Sequence, residues 1–114
     1  MTRKRMNART VEELKADIVN AAMIYGEDLG SGRRSTKISD NAHDAAKRAF
    51  EELKAQHEER RILDLLEFGH PAVRLMAAGF ALQSGLDTDR GQAVLESLAN
   101  GPFGSIRSMA DSLA

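Results

Sequence analysis

Three histidines and seventeen carboxylates carry most of the chemical potential of this chain, and their spacing decides what that chemistry is. His57-Glu58-Glu59 sets an imidazole beside two acids. A zinc pair on one helix needs histidines at i and i+4 with a glutamate between them as base, and position 61 is Arg, so the pattern is broken. His43 and His57 stand 14 residues apart, near four turns of a straight helix, too far to share an ion. Both read as solvated surface residues. The adjacent acids Glu12-Glu13, Glu51-Glu52 and Glu58-Glu59 diverge by about 100° on a helix. A catalytic acid and base must instead converge on a cleft with separated pKa values. The serines at 31, 35, 39, 84, 97, 105, 108 and 112 show no nucleophile-elbow spacing. Gly30-Ser31-Gly32-Arg33-Arg34 lacks the Gly-Lys-Ser/Thr ending and the preceding strand of a phosphate loop. Cysteine is absent, which removes disulfides, thiolate catalysis and cysteine-based zinc. No catalytic residue, cofactor site or metal site is nominated, and an enzyme is not expected.

Two sets of residues have binding chemistry instead. Arg3, Lys4, Arg5 and Arg9 form one basic cluster, and Arg33, Arg34 and Lys37 form another. Together they could neutralise phosphates, and each such contact would add salt dependence. The net charge of −1 exerts no global pull on nucleic acid or an anionic membrane, and acids of the first three helices surround both clusters. A soluble tail and loop is the preferred reading. Phe50, Phe68, Phe80 and Phe103 sit at core-like or turn positions rather than on a stacking platform. Arg74 and Arg107 hold equivalent places in a duplicated block. They are expected to pair with acids of a neighbouring helix (Asp64, Glu67 and Glu96 are the partners to hand) and to hold the helices in register. Contact with a ligand or partner is the other reading.

The elements that position these residues are helices. The composition is 42% hydrophobic but only 4% aromatic across 114 residues, enough for one domain with a core of Leu, Ala, Ile, Val and Met. Residues 1–9 read as a flexible basic tail and 10–114 as a single domain. Thr10-Val11-Glu12-Glu13 is a capping box. Val11, Leu14, Ile18, Ala21/Ala22, Tyr25 and Leu29 follow on one face of a helix that runs to about Leu29. Gly30-Ser31-Gly32 ends it. Ser39 or Asp40 is expected to cap a second helix burying Ala42, Ala45/Ala46, Ala49, Phe50 and Leu53. Ile62, Leu63, Leu65, Leu66 and Phe68 belong to a short helix stopped at Gly69, and the chain either breaks near His57 or runs straight through. Pro71 opens the next helix in its first turn, with His70 as cap or packed turn residue and Val73, Met76, Ala77, Phe80 and Ala81 inward. A fifth helix, capped by Asp87 or Thr88, carries Ala93, Val94, Leu95, Leu98 and Ala99. A sixth opens at Pro102 with Ile106, Met109, Ala110 and Leu113. No two-residue alternation is sustained, so no sheet is expected.

The later half repeats. Val73-Arg-Leu-Met-Ala-Ala-Gly-Phe-Ala81 returns as Ile106-Arg-Ser-Met-Ala-Asp-Ser-Leu-Ala114, shifted by 33, and Leu63-Asp-Leu-Leu66-Glu-Phe-Gly69 returns as Leu95-Glu-Ser-Leu98-Ala-Asn-Gly101, shifted by 32. The repeated positions include Pro71, Val73, Arg74 and Ala77 in one copy and Pro102, Ile106, Arg107 and Ala110 in the other. Self-similarity at this period marks stacked helical units, because one helical hairpin cannot cover both its apolar sides.

The block Leu65-Leu66, His70-Pro71, Val73-Arg74, Ala77-Ala78, then Ala93-Val94-Leu95 with Leu98-Ala99, resembles a HEAT-type unit. Over residues 10–114 the chain also resembles a bacterial family catalogued as domain of unknown function 2019, which shares the long first helix, the polar break, the charged second helix and the His-Pro-x-Val-Arg-x-x-Ala-Ala block. The resemblance implies an all-α, HEAT-like right-handed superhelix of five to six helices, without an assigned activity. The function expected is a non-enzymatic protein-binding module, an adaptor or a toxin-neutralising partner, the last by analogy alone. Nucleic-acid binding through Arg3–Arg9 and Arg33–Lys37 is the alternative, and a homodimer is compatible with both. No apolar stretch of signal length follows the amino-terminal Met-Thr-Arg-Lys-Arg, and the longest uncharged run, from Leu75 to the approach of Asp87, is too short to span a bilayer. A cytoplasmic protein without membrane contact is expected.

Overall fold

The computed structural model describes residues 9–30, 36–101 and 110. Among them the chain forms helices α1 (Val11–Gly30) and α2 (Thr36–Ala55), a 3₁₀ helix (Glu59–Glu67), then α3 (Pro71–Ser84) and α4 (Thr88–Ala99), with no strand. The all-α expectation is met. No helix among the described residues is long and apolar enough to cross a membrane.

The amino-terminal cap of α1 forms as its residue types dictate. The Glu13 backbone N–H donates to Thr10 Oγ1 at 3.1 Å, and the Thr10 N–H donates back to Glu13 Oε1 at 2.8 Å. Two backbone donors that the helix leaves unpaired are thereby satisfied. Leu14, Ile18, Ala21 and Ala22 are buried on one face. They share one core with Ala46, Ala49, Phe50 and Leu53 of α2, and Ala42 is buried as well. The two helices run antiparallel: Gln56, just past the end of α2, donates to the Arg9 carbonyl before α1 at 2.8 Å, while Ser39 near the start of α2 donates to Asp28 near the end of α1. Helix α2 begins at Thr36, one turn earlier than a Ser39 or Asp40 cap requires. Ser39 is instead buried inside the helix, where its hydroxyl donates to the buried Asp28 carboxylate.

The break at His57 is real. His57 adopts φ 60°, the Glu58 N–H donates to the Leu53 carbonyl at 2.8 Å, and the His57 N–H donates to the Lys54 carbonyl at 3.0 Å. That pair of bonds is a Schellman ending with His57 in the left-handed position. The same pattern closes α3, with Gly85 at φ 70°, Leu86 N–H to the Ala81 carbonyl at 2.9 Å and Gly85 N–H to the Leu82 carbonyl at 3.3 Å.

Between these endings the 3₁₀ helix explains the doublet pattern of its sequence. Side chains at i and i+3 eclipse at three residues per turn, so Ile62 and Leu65 form one row and Leu63 and Leu66 a second, all four buried. Helix α3 is the central element: Ala72, Val73, Leu75, Met76, Ala77, Ala78, Phe80 and Ala81 are all buried, nearly around its circumference. Pro71 occupies its first turn and His70 caps it, Nδ1 accepting the Ala72 N–H at 3.1 Å. Phe80 lies nearly parallel to Phe50 of α2, centroids 5.0 Å apart, which ties the first hairpin to the repeated half.

Duplicated positions share burial where both copies are described. Leu63 and Leu66 are buried like Leu95 and Leu98, and Ala110 is buried like Ala77. The leucine pairs differ in helix type, 3₁₀ for Leu63 and Leu66 and α for Leu95 and Leu98. Pro102, Ile106 and Arg107 lie outside the described residues.

Candidate functional site

The residues with catalytic chemistry do not converge. His43 lies on α2, His57 in the break after it and His70 at the start of α3. Among the described residues no group of three His, Cys, Asp or Glu side chains could hold a metal ion. Adjacent acids part company as helix geometry requires. Glu13 turns to the Thr10 cap, whose backbone N–H, together with Arg9, holds its carboxyl below the usual range. Glu12 turns the other way, to Arg61 at 3.4 Å and Lys15 at 3.6 Å.

The partners expected for Arg74 are engaged elsewhere. Asp64 takes Lys15 and Arg61, Glu67 takes Arg90 at 3.0 Å, and Glu96 accepts from Gln92 at 3.4 Å. Among the described residues Arg74 makes no ion pair, and its Nε is buried without a hydrogen-bond partner. The reason is position. Arg74 is half-buried in the first turns of α3, while the acids stand on exposed faces where other cations reach them first. Arg107 lies outside the described residues.

Of the two basic clusters, Arg9 and Lys37 are described. Arg9 is drawn to Asp17 at 3.0 Å and Glu13 at 3.9 Å, so its charge is spent within the chain. Lys37 is exposed at the start of α2. Arg3, Lys4, Arg5, Arg33 and Arg34 lie outside the described residues.

What the fold does assemble is a groove between α1 and the 3₁₀ helix. Ala16 and Val19 of α1, with Leu65 and Phe68, form its apolar part, in an open volume of about 380 Å³. Phe68 follows the last 3₁₀ residue with extended backbone (φ −65°, ψ 149°), so its ring leaves the row of Ile62 and Leu65 and is 39% exposed. One helical turn beyond Val19, Met23 is also 39% exposed. At the other end stands a charged rim. Asp64 Oδ2 accepts from Lys15 Nζ at 2.9 Å and Arg61 Nε at 3.1 Å. Hydrogen bonds first from Lys15 and then from Arg61 outweigh partial desolvation and hold the Asp64 carboxyl below its ordinary range. Asp64 in turn raises the Arg61 guanidinium, so that both stay charged.

The Phe68 role is one that spacing conceals. Its place after Leu65 at a three-residue step reads as core, and only the extended turn into Gly69-His70-Pro71 carries the ring outward. On the other side of α1 a second groove lies over α2, with Leu14, Ala21, Ile24, Ala45 and Ala49 along its floor and a volume of about 410 Å³.

Comparison with protein-family models, with curated proteins and with solved structures finds no match to this chain.

Proposed function

We propose that this chain is a non-enzymatic, HEAT-like helical-repeat module of the domain of unknown function 2019 family, and that it grips another protein along the groove between α1 and the 3₁₀ helix. On this reading it works in the cytoplasm as an adaptor or as the neutralising partner of a toxin. The observation that carries the proposal is Phe68, an exposed aromatic ring beside Val19 and Leu65 with a charged rim at Lys15, Arg61, Glu12 and Asp64. An aromatic anchor in an apolar patch bounded by polar groups is the usual anatomy of a protein interface. Repeat folds offer such surfaces because each unit buries only its inner sides.

The test is Phe68→Asp. The ring is 39% exposed, so losing its remaining contacts should cost about 1–2 kcal/mol of stability, and a thermal melt confirms that the variant stays folded at the temperature of the binding assay. Partner affinity, read by titration calorimetry with the co-purified partner, should fall by at least about 30-fold, as for loss of a central anchor of about 2 kcal/mol. Equal affinity for the variant would sink the proposal. Nucleic-acid binding draws less support, since Arg9 is occupied by Asp17. A salt titration with duplex and single-stranded oligonucleotides tests it, and a salt-sensitive complex would favour it.

A further inference from the structure

Away from that groove, α1, α2 and α3 enclose a half-open cavity of about 150 Å³, whose lining includes Tyr25, His43, Met76, Gly79, Phe80 and Gln83. Gly79 is its anomaly. A glycine inside a helix destabilises it relative to alanine, and other helical glycines here have packing reasons: a Cβ on Gly26 would stand 2.5 Å from Ala72 Cβ, and one on Gly91 would stand 3.3 Å from Leu82. A Cβ on Gly79 would meet nothing within 4 Å. No neighbour requires glycine there, yet its bare backbone keeps the cavity open. A local rule broken without a compensating contact points to function.

The walls state what fits. Phe80, already stacked on Phe50, is approached by His43 at 6.0 Å and 42°, and Met76 offers a thioether suited to a ring edge. Tyr25, His43 and Gln83, one from each of the three helices, place hydrogen-bonding groups around this apolar slot. His43 and Gln83 are exposed and Tyr25 is half-buried, so these groups meet solvent at the mouth of the slot. The volume of about 150 Å³ holds one benzene-sized group and falls short of sites for larger ligands. We propose that this cavity binds a single planar aromatic ring with a hydrogen-bonding edge, a phenol being the simplest such ligand.

The experiment is an NMR titration of the full chain, following the Met76 methyl and the Gly79 amide, with p-cresol, toluene and N-acetyltyrosinamide as probes. Saturable shifts with p-cresol are expected, with affinity about tenfold above toluene, the worth of roughly one net hydrogen bond. Gly79→Leu should fill the slot and abolish the shifts, with Gly79→Ala as a folded control and thermal melts confirming both. Binding of N-acetyltyrosinamide as well would assign the ring to a polypeptide side chain. Binding of p-cresol alone would assign it to a free small molecule. The proposal is overturned by the absence of saturation with either phenol up to about 10 mM, by toluene binding as tightly as p-cresol, or by a Gly79→Leu titration identical to that of the wild type.

Discussion

Gly26 of α1 lies against Ala72 of α3 so closely that a Cβ on Gly26 would stand 2.5 Å from the Ala72 Cβ, with the His70 ring 3.8 Å away. The first turn of α3, the His-Pro start of the repeated block, is thus seated on bare α1 backbone. An alanine Cβ has no rotamer by which to retreat. Gly26→Ala should therefore cost about 1–3 kcal/mol through overpacking, despite the better helix propensity of alanine. Urea unfolding checks it, and an unchanged midpoint would show that α1 and α3 can separate freely.

Gly79→Ala should do the reverse. It shares the helical setting but has open space above it, so alanine should stabilise by about 0.5–1 kcal/mol. The opposite signs of two identical substitutions test the helix packing with propensity held constant.

His57 ends α2 in a left-handed conformation at φ 60°, which strains any residue with a Cβ. His57→Gly should raise stability by about 0.5–1 kcal/mol, with the gain seen in the melting temperature. A loss would mean that the imidazole makes a stabilising contact that outweighs its backbone strain.

The depressed Asp64 carboxyl sets a pH dependence. Its folded pKa lies below the unfolded value, held there chiefly by the Lys15 hydrogen bond. The contribution is therefore complete above the unfolded pKa of about 4 and disappears as pH falls through the folded one. With the Asp64 side chain 48% exposed, solvent screening limits the effect to at most about 1 kcal/mol. Between pH 7 and pH 3, Asp64→Asn should lose less stability than the wild type, and the difference should shrink in high salt. Parallel profiles would contradict this assignment.

Legibility in the sequence followed the range of the forces involved. The Thr10–Glu13 cap, the Leu14–Ile18–Ala21 face and the His70-Pro71 start are local, and each is as the residue types require. Five residues of Ile62–Leu66 cannot separate a three-residue period from 3.6, so the 3₁₀ geometry was hidden. Ser39 reads as a cap because short polar residues favour caps. Its actual partner, Asp28, lies in the preceding helix, and no local pattern encodes that. Arg74 reads as an ion-pair residue for a similar reason: sequence offers acids to pair with it but not the competition of Lys15, Arg61 and Arg90 for them. Gly26 and Phe68 escaped because periodicity counts apolar side chains, whereas a glycine marks a close approach and a turn decides which way a ring faces. The cavity beneath Gly79 depends on three helices at once.

The most direct test of the interaction groove is site-specific photo-crosslinking in the native cell, with the crosslinker placed at position 68 and, in parallel, at Glu51 on the exposed surface of α2. A discrete protein adduct from position 68, missing from position 51 and lost when Val19→Glu is added, is the predicted result. Identical adducts from both positions, or none from position 68, would contradict the account.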